Sequence, residues 1–202
     1  MLTSLLVRLK RACPLLWRGV ESVNSVLMRI RYPSLPLIAA REGAALTSWR
    51  DDGLTWSPVT PGDAEALSRF LTSMPAARMR HFNPHPFDPA TLRRMASGRS
   101  FVMFKVTDRD GDIVGYHFLR CFWTGRTFHG LTVAPEAGGR GIGGDMWALG
   151  ARIATSAGMD MRATISESNL PSLRSCRRAT RCTVIERLPD GYLLVGCTPR
   201  DD

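Results

Sequence analysis

The sequence predicts an α+β protein, a three-layer α/β arrangement in which one sheet is flanked by helices, with a helical extension at the N-terminus. Three features carry this. Runs of β-forming residues over 100–106, 113–122 and 127–133 are separated by the turn pairs Asp110-Gly111 and Thr124-Gly125, as in an antiparallel meander. Thr60-Pro61-Gly62-Asp63 and Asp88-Pro89 each set an oxygen-bearing cap before a proline, which starts a helix. Apolar residues from Leu2 to Ile30 recur at three- and four-residue spacing, the stripe of an amphipathic helix.

The elements follow in order. Residues 54–59 form a strand, 60–73 and 88–95 helices, and the segment from Arg78 to Pro86 is irregular and proline-broken. The meander comes next, then a helix to Ser156, a strand over 159–166, a helix over 169–178, and a closing hairpin of 183–187 and 192–197 about Pro189-Asp190-Gly191. In the extension, Pro14 should break or kink the helix, and Tyr32-Pro33-Ser34-Leu35-Pro36 ends it. This divides the chain at about residue 50, with 1–50 a basic amphipathic helical extension and 51–202 the main domain.

The chain of 202 residues carries a net charge of +9, and residues 1–50 supply +6 of it from eight basic and two acidic residues. Such a balance favours polyanionic partners: phosphates, nucleic acid or an acidic membrane face. Only Lys10 and Lys105 are lysines, a bias that fits a GC-rich bacterial genome. Arg8, Lys10, Arg11 and Arg18 could face anionic lipid if residues 1–35 lie on a membrane. The competing expectation packs the helix on the main domain or across a homodimer. Cys13, Cys121, Cys176, Cys182 and Cys197 show neither zinc-like spacing nor a secreted disulfide framework, which points to reduced thiols and a cytoplasmic location. No uncharged apolar run reaches the roughly 18 residues of a membrane span.

Five glycines fall within residues 138–144, between a strand and a helix. Glycine lets backbone N–H groups converge without side-chain clash, and at a helix N-terminus those donors bind phosphate. A P-loop would need a lysine that is absent. Gly139-x-Gly141-x-x-Gly144 matches the dinucleotide fingerprint, with Glu167 at the end of the next strand, but a meander precedes it instead of repeated βαβ units. A glycine loop without ligand is the remaining alternative.

Val133-Ala134-Pro135-Glu136-Ala137-Gly138-Gly139-Arg140-Gly141-Ile142-Gly143 resembles motif A of the GNAT acetyltransferase superfamily, a strand ending Val-x-Pro and then Arg/Gln-x-x-Gly-x-Gly/Ala. Gly141 and Gly143 match, and Gly138 replaces the leading Arg/Gln. Asn169-Leu170-Pro171-Ser172 resembles the later Asn-x-x-Ser segment, and Thr60-Pro61-x-Asp63 the start of the first helix; the likeness spans about residues 54–198.

The resemblance implies a GNAT-like mixed, mostly antiparallel central sheet with flanking helices, acetyl-CoA as co-substrate and no metal. It implies direct transfer of an acetyl or short acyl group to an amine. Amides of Gly138, Gly139, Arg140, Gly141, Ile142, Gly143 and Gly144 would hold the pyrophosphate, and Leu131, Thr132 and Val133 would supply donors to the oxyanion. Asn169 and Ser172 would face the pantetheine arm or the adenine end. Arg174, Arg177, Arg178 and Arg181 would meet the 3′-phosphate or form a solvated face. His129, four residues before Val133, takes the place of the general base; His117 is a second candidate, and His81 and His85 could contact the acceptor. Cys176 stands where the general-acid tyrosine usually lies.

The acceptor expected is a small-molecule amine, for which the charge allows an anionic group: an amino sugar, a nucleotide-linked sugar or an amino acid. Two alternatives accompany it. One is a catalytically degenerate coenzyme A-binding module, supported by Gly138 and Cys176. The other is action on aminoacyl-tRNA, which the arginine excess allows although no aromatic-rich RNA-reading motif is present.

Overall fold

The computed structural model describes residues 14–49 and 52–200. The apolar positions Leu2 to Cys13 and the basic residues Arg8, Lys10 and Arg11 lie outside the described residues, as do the side chains of Leu16, Trp17 and Arg18.

Two helices open the described chain, α1 (Pro14–Arg31) and α2 (Leu35–Trp49). Pro14 is the first residue of α1 as described, and its effect on the segment before it lies outside the described residues. Strand β1 (Thr55–Pro58) leads through a 3₁₀ turn to α3 (Ala64–Ser73). The short α4 (Ala76–Met79) and an irregular stretch precede α5 (Pro89–Ser97). The meander is β2 (Phe101–Thr107), β3 (Ile113–Phe122) and β4 (Arg126–Val133). After the glycine loop come α6 (Ile142–Ser156), β5 (Asp160–Ser166), α7 (Leu170–Ala179), β6 (Thr180–Leu188) and β7 (Tyr192–Pro199).

The seven strands form one sheet in the order β1-β2-β3-β4-β5-β7-β6. All neighbours are antiparallel except β4 and β5. The expected mixed, mostly antiparallel sheet with flanking helices is therefore present. Side chains alternate across each strand, so the sheet separates two apolar clusters. One packs β1–β3, β5 and β7 against α2, α6 and α7. The other packs Met103, Tyr116 and Phe118 against α3, α5 and Phe82.

The N-terminal helices divide in behaviour. Leu35, Ala39 and Leu46 of α2 enter the first cluster, so residues 35–49 share the core of the main body instead of standing apart from it. Helix α1 sends Met28 into the same cluster and is otherwise held by polar contacts. Asn24 donates to Ser100 Oγ at 2.8 Å and the Cys121 carbonyl at 2.9 Å, and Arg120 pairs with Glu21 at 3.2 Å. Its Val20, Val23, Val26 and Ile30 face outward, exposed by 55–72%. Among the described residues no helix is long and apolar enough to cross a membrane.

Candidate active site

Strand β4 pairs with β5 only at its start, Arg126 with Asp160 through Phe128 with Arg162. Beyond Phe128 the two strands part, and the opening faces the glycine loop. Backbone direction along β4 follows from the ladder. Ala134 N–H donates to Val114 O of β3's first turn of pairing, and Asp160 N–H donates to Gly125 O. Even-numbered residues of β4 therefore point their backbone groups at β3, and odd-numbered ones at β5. The N–H groups of Leu131 and Val133 aim into the gap, while Thr132 is engaged with its register partner Tyr116. Of Leu131, Thr132 and Val133, two carry N–H groups that point into the gap.

The glycine loop bends through left-handed backbone at Gly139 (φ 81°) and Gly141 (φ 83°), conformations that cost a side-chain-bearing residue about 1 kcal/mol or more. Gly141 caps α6, and its carbonyl takes the N–H groups of Gly144 (2.8 Å) and Asp145 (3.1 Å). The N–H groups ahead of these belong to the first turn, which has no intrahelical acceptor, and the helix dipole adds partial positive charge there. Gly138 has ordinary backbone angles, yet a Cβ on it would come within 2.9 Å of the Pro135 carbonyl oxygen. A side chain at 138 would therefore require the Pro135–Gly138 turn to shift.

A guanidinium is nonetheless present. Arg78 Nη2 lies 3.6 Å from where that Cβ would be, carried across the loop by α4. Arg140 turns the other way and donates to the Asp52 carbonyl at 3.3 Å. The loop is thus a cradle of backbone donors with one arginine beside it, which suits a pyrophosphate. Sequence reasoning missed Arg78 because it lies in an irregular segment sixty residues upstream, with no motif of its own.

Asn169 and Ser172 are joined to each other. Asn169 caps α7 by accepting the Ser172 N–H at 3.3 Å. Ser175, one turn on, is the residue that approaches the loop, its Oγ 3.5 Å from a Cβ position on Gly143.

His129 points away from the gap, into the core beneath α6. Its ring centroid is 4.5 Å from Trp147 and 5.4 Å from His117, and its Cδ2 would touch a Cβ on Gly150 at 3.1 Å. Neither ring nitrogen has a hydrogen-bond partner of good geometry. Burial first, then the charge of His117, hold its pKa well below the usual histidine value, with the Met146 carbonyl a weak opposing influence. His117 is buried as well, pushed down to about 3 by desolvation. Cys176 is buried between α7 and β7, 3.5 Å from Cys197 Sγ and 3.6 Å from Thr180 Oγ1. The hydrogen bond with Cys197, then burial, push its thiol well above the ordinary value.

On the opposite face of the sheet, His85 is half-buried among Phe87, Tyr116 and Phe118. Its Nδ1 lies 2.9 Å from the Pro86 carbonyl, which can only accept, so Nδ1 carries the proton. Nε2 is then the acceptor for the Tyr116 hydroxyl at 3.1 Å. Phe118 and Tyr116 pair with Gly130 and Thr132 of β4, which brings this ring cluster beside the parted stretch. A groove of about 480 Å³, bordered by Met159, Arg162, Arg181 and Thr198, lies at the other end of β5, away from the gap.

The family model described as Acetyltransferase (GNAT) family matches residues 67–179, more than half of the chain. Solved structures similar in fold include the GNAT domain of S. lividans PAT, with 17% identity, TM-score 0.59, and 70% of this chain and 88% of that one covered. The aminoglycoside acetyltransferase AAC(6')-Ib in complex with coenzyme A and kanamycin gives 16%, 0.54, 73% and 95%. A spermidine N-acetyltransferase chimera from Vibrio cholerae gives 14%, 0.55, 73% and 96%. No curated protein sequence matches the chain.

Proposed function

The chain belongs to the GNAT acetyltransferase family, and from that premise we propose that it transfers an acetyl or short acyl group from coenzyme A to the amine of a small acceptor. One observation carries the reading: the gap between β4 and β5 opens opposite a cradle of glycine N–H groups. Coenzyme A would supply a thioester carbon open to attack and a thiolate able to leave. Residues 138–144 and Arg78 would hold its pyrophosphate, and the Leu131 and Val133 N–H groups would hold the carbonyl oxygen as negative charge gathers on it.

The acceptor amine must lose a proton as its nitrogen bonds to carbon. We assign that proton to His85 ahead of His129. The His129 ring faces α6, where desolvation makes its protonated form costly. His85 is only half-buried, and its Nε2 presents a lone pair, taken in this structure by the Tyr116 hydroxyl, on the face opposite α6. Cys176 lies deep in the core with a raised pKa, so thiolate departure without its help fits the site better.

The aminoglycoside and spermidine enzymes whose fold this chain shares are named for polyamine-bearing acceptors. The net charge of +9 favours instead an acceptor that bears an anionic group beside its amine. Thiol release from acetyl-CoA against a panel of amino sugars, nucleotide-linked amino sugars, amino acids and polyamines tests this. Turnover with one of the first three is expected.

A second reading has its own support. Burial of both His129 and Cys176 would equally suit a coenzyme A-binding module without transferase activity. Tight coenzyme A binding with no turnover across the panel would favour it.

A further inference from the structure

Three of the five cysteines, separated in the sequence, meet only in the fold. Cys176 comes from the last turn of α7, Cys182 from edge strand β6, and Cys197 from β7, where it is the register partner of Cys182. Their three Sγ atoms all lie within 4.8 Å of one another, and the Cys176–Cys197 pair at 3.5 Å. Cys176 and Cys197 are buried and Cys182 is half-buried, which leaves a way in from solvent.

Three sulfurs sharing one ion at about 2.3 Å must sit roughly 3.8–4.0 Å apart. The Cys176–Cys197 distance of 3.5 Å and the outer limit of 4.8 Å bracket that value, so closure needs shifts of no more than about an ångström. Thr180 Oγ1 borders the cluster 3.6 Å from Cys176 Sγ, its proton given to the Cys176 carbonyl at 2.8 Å. We propose that Cys176, Cys182 and Cys197 form a three-thiolate site for a soft d¹⁰ metal ion, zinc(II) or copper(I).

Binding replaces three S–H bonds by three metal–sulfur bonds and releases three protons to solvent, with no change of oxidation state. The site is independent of the transferase reading: it ties α7 to the β6–β7 hairpin and contains no glycine-loop residue. An ion there would also withdraw Cys176 from any role as acid.

The test uses the reduced full-length chain, titrated anaerobically with zinc(II) in one arm and copper(I) in the other. Native mass spectrometry counts ions, and a pH indicator counts protons. One ion per chain and about three protons are expected with one of the two metals. Cys182→Ser, on the half-exposed edge strand, should weaken binding by about 100-fold or more, while Cys121→Ser leaves it unchanged. Thermal melting of the metal-free variants confirms that both are folded. Binding of neither ion, equal binding by Cys182→Ser, or a Cys176–Cys197 disulfide in its place would overturn the proposal. None of these readouts depends on acyl transfer, so their failure is separate from failure of the proposed activity.

Discussion

The glycine loop and the pocket holding His117 and His129 lie at opposite ends of one helix contact, and they obey opposite rules. The loop is exposed, its backbone takes the left-handed turns that glycine permits, and its polar groups point outward. In the pocket every ring nitrogen of the two histidines, and the Trp147 indole N–H, is buried without a partner. In the loop, Gly138 and Gly144 spend their N–H groups on the Pro135 and Gly141 carbonyls, so a ligand would meet the amides between them. The pocket keeps two histidines neutral at a cost that appears only when they are asked to take protons. The contrast teaches that titratable residues beside a motif are not thereby reactive: desolvation decides, and sequence spacing does not report it.

Acid should expose the difference most strongly. The His117 pKa is lowered to about 3 in the fold from 6.5 when unfolded. Between those values the unfolded chain binds the extra proton, so stability is complete above pH 6.5 and falls as pH drops toward 3. The slope is about 1.4 kcal/mol per pH unit, or about 3 kcal/mol by pH 4.5, from His117 alone. Urea unfolding from pH 7 to 4.5 measures it, and His117→Leu should flatten the slope by one proton. A wild-type profile already flat would mean that the pocket is hydrated.

The loop should respond to ligand and not to acid. Gly141→Val forces a branched side chain into φ 83° and fills the cradle. Isothermal titration should show about 100-fold weaker coenzyme A binding, about 2.7 kcal/mol, with the wild-type pH slope retained. Arg78→Ala removes one charge-assisted contact and should cost about tenfold in coenzyme A affinity, with Arg78→Lys recovering part of it. An unchanged affinity would detach Arg78 from the cradle.

The smallest effect sharpens the comparison at α7. Asn169→Ala should lower stability by about 1 kcal/mol through loss of the cap on Ser172, measured by denaturant melts. A coenzyme A affinity that falls as well would give Asn169 a ligand contact beside its capping role.

Much of the architecture was legible. The meander followed from alternation and turn pairs, and the Thr60-Pro61-Gly62-Asp63 start is present, with the Thr60 N–H donating to Asp63 at 2.8 Å. Helix α2 was not foreseen. Its alanines, and Gly43, give no long apolar stripe, and Gly43 is small because a Cβ there would run within 2.4 Å of the Phe104 ring. That is a packing requirement set by a strand sixty residues away. The position of the cradle could be read because glycine's allowed backbone is a local property. The roles around it could not. Arg78 and Ser175 come beside the loop, and His85 beside Tyr116, through tertiary contacts, and the facing of His129 depends on which side of β4 the helix covers. The three thiols likewise meet only once β6 and β7 pair.

The most direct test of the loop-and-gap site compares coenzyme A with pantetheine, which lacks the nucleotide and the pyrophosphate, by isothermal titration against the unaltered chain. One coenzyme A per chain is expected, with pantetheine at least about 100-fold weaker because the cradle has nothing to hold. Equal affinities, or no binding of coenzyme A at all, would contradict the assignment of residues 138–144 as its pyrophosphate site.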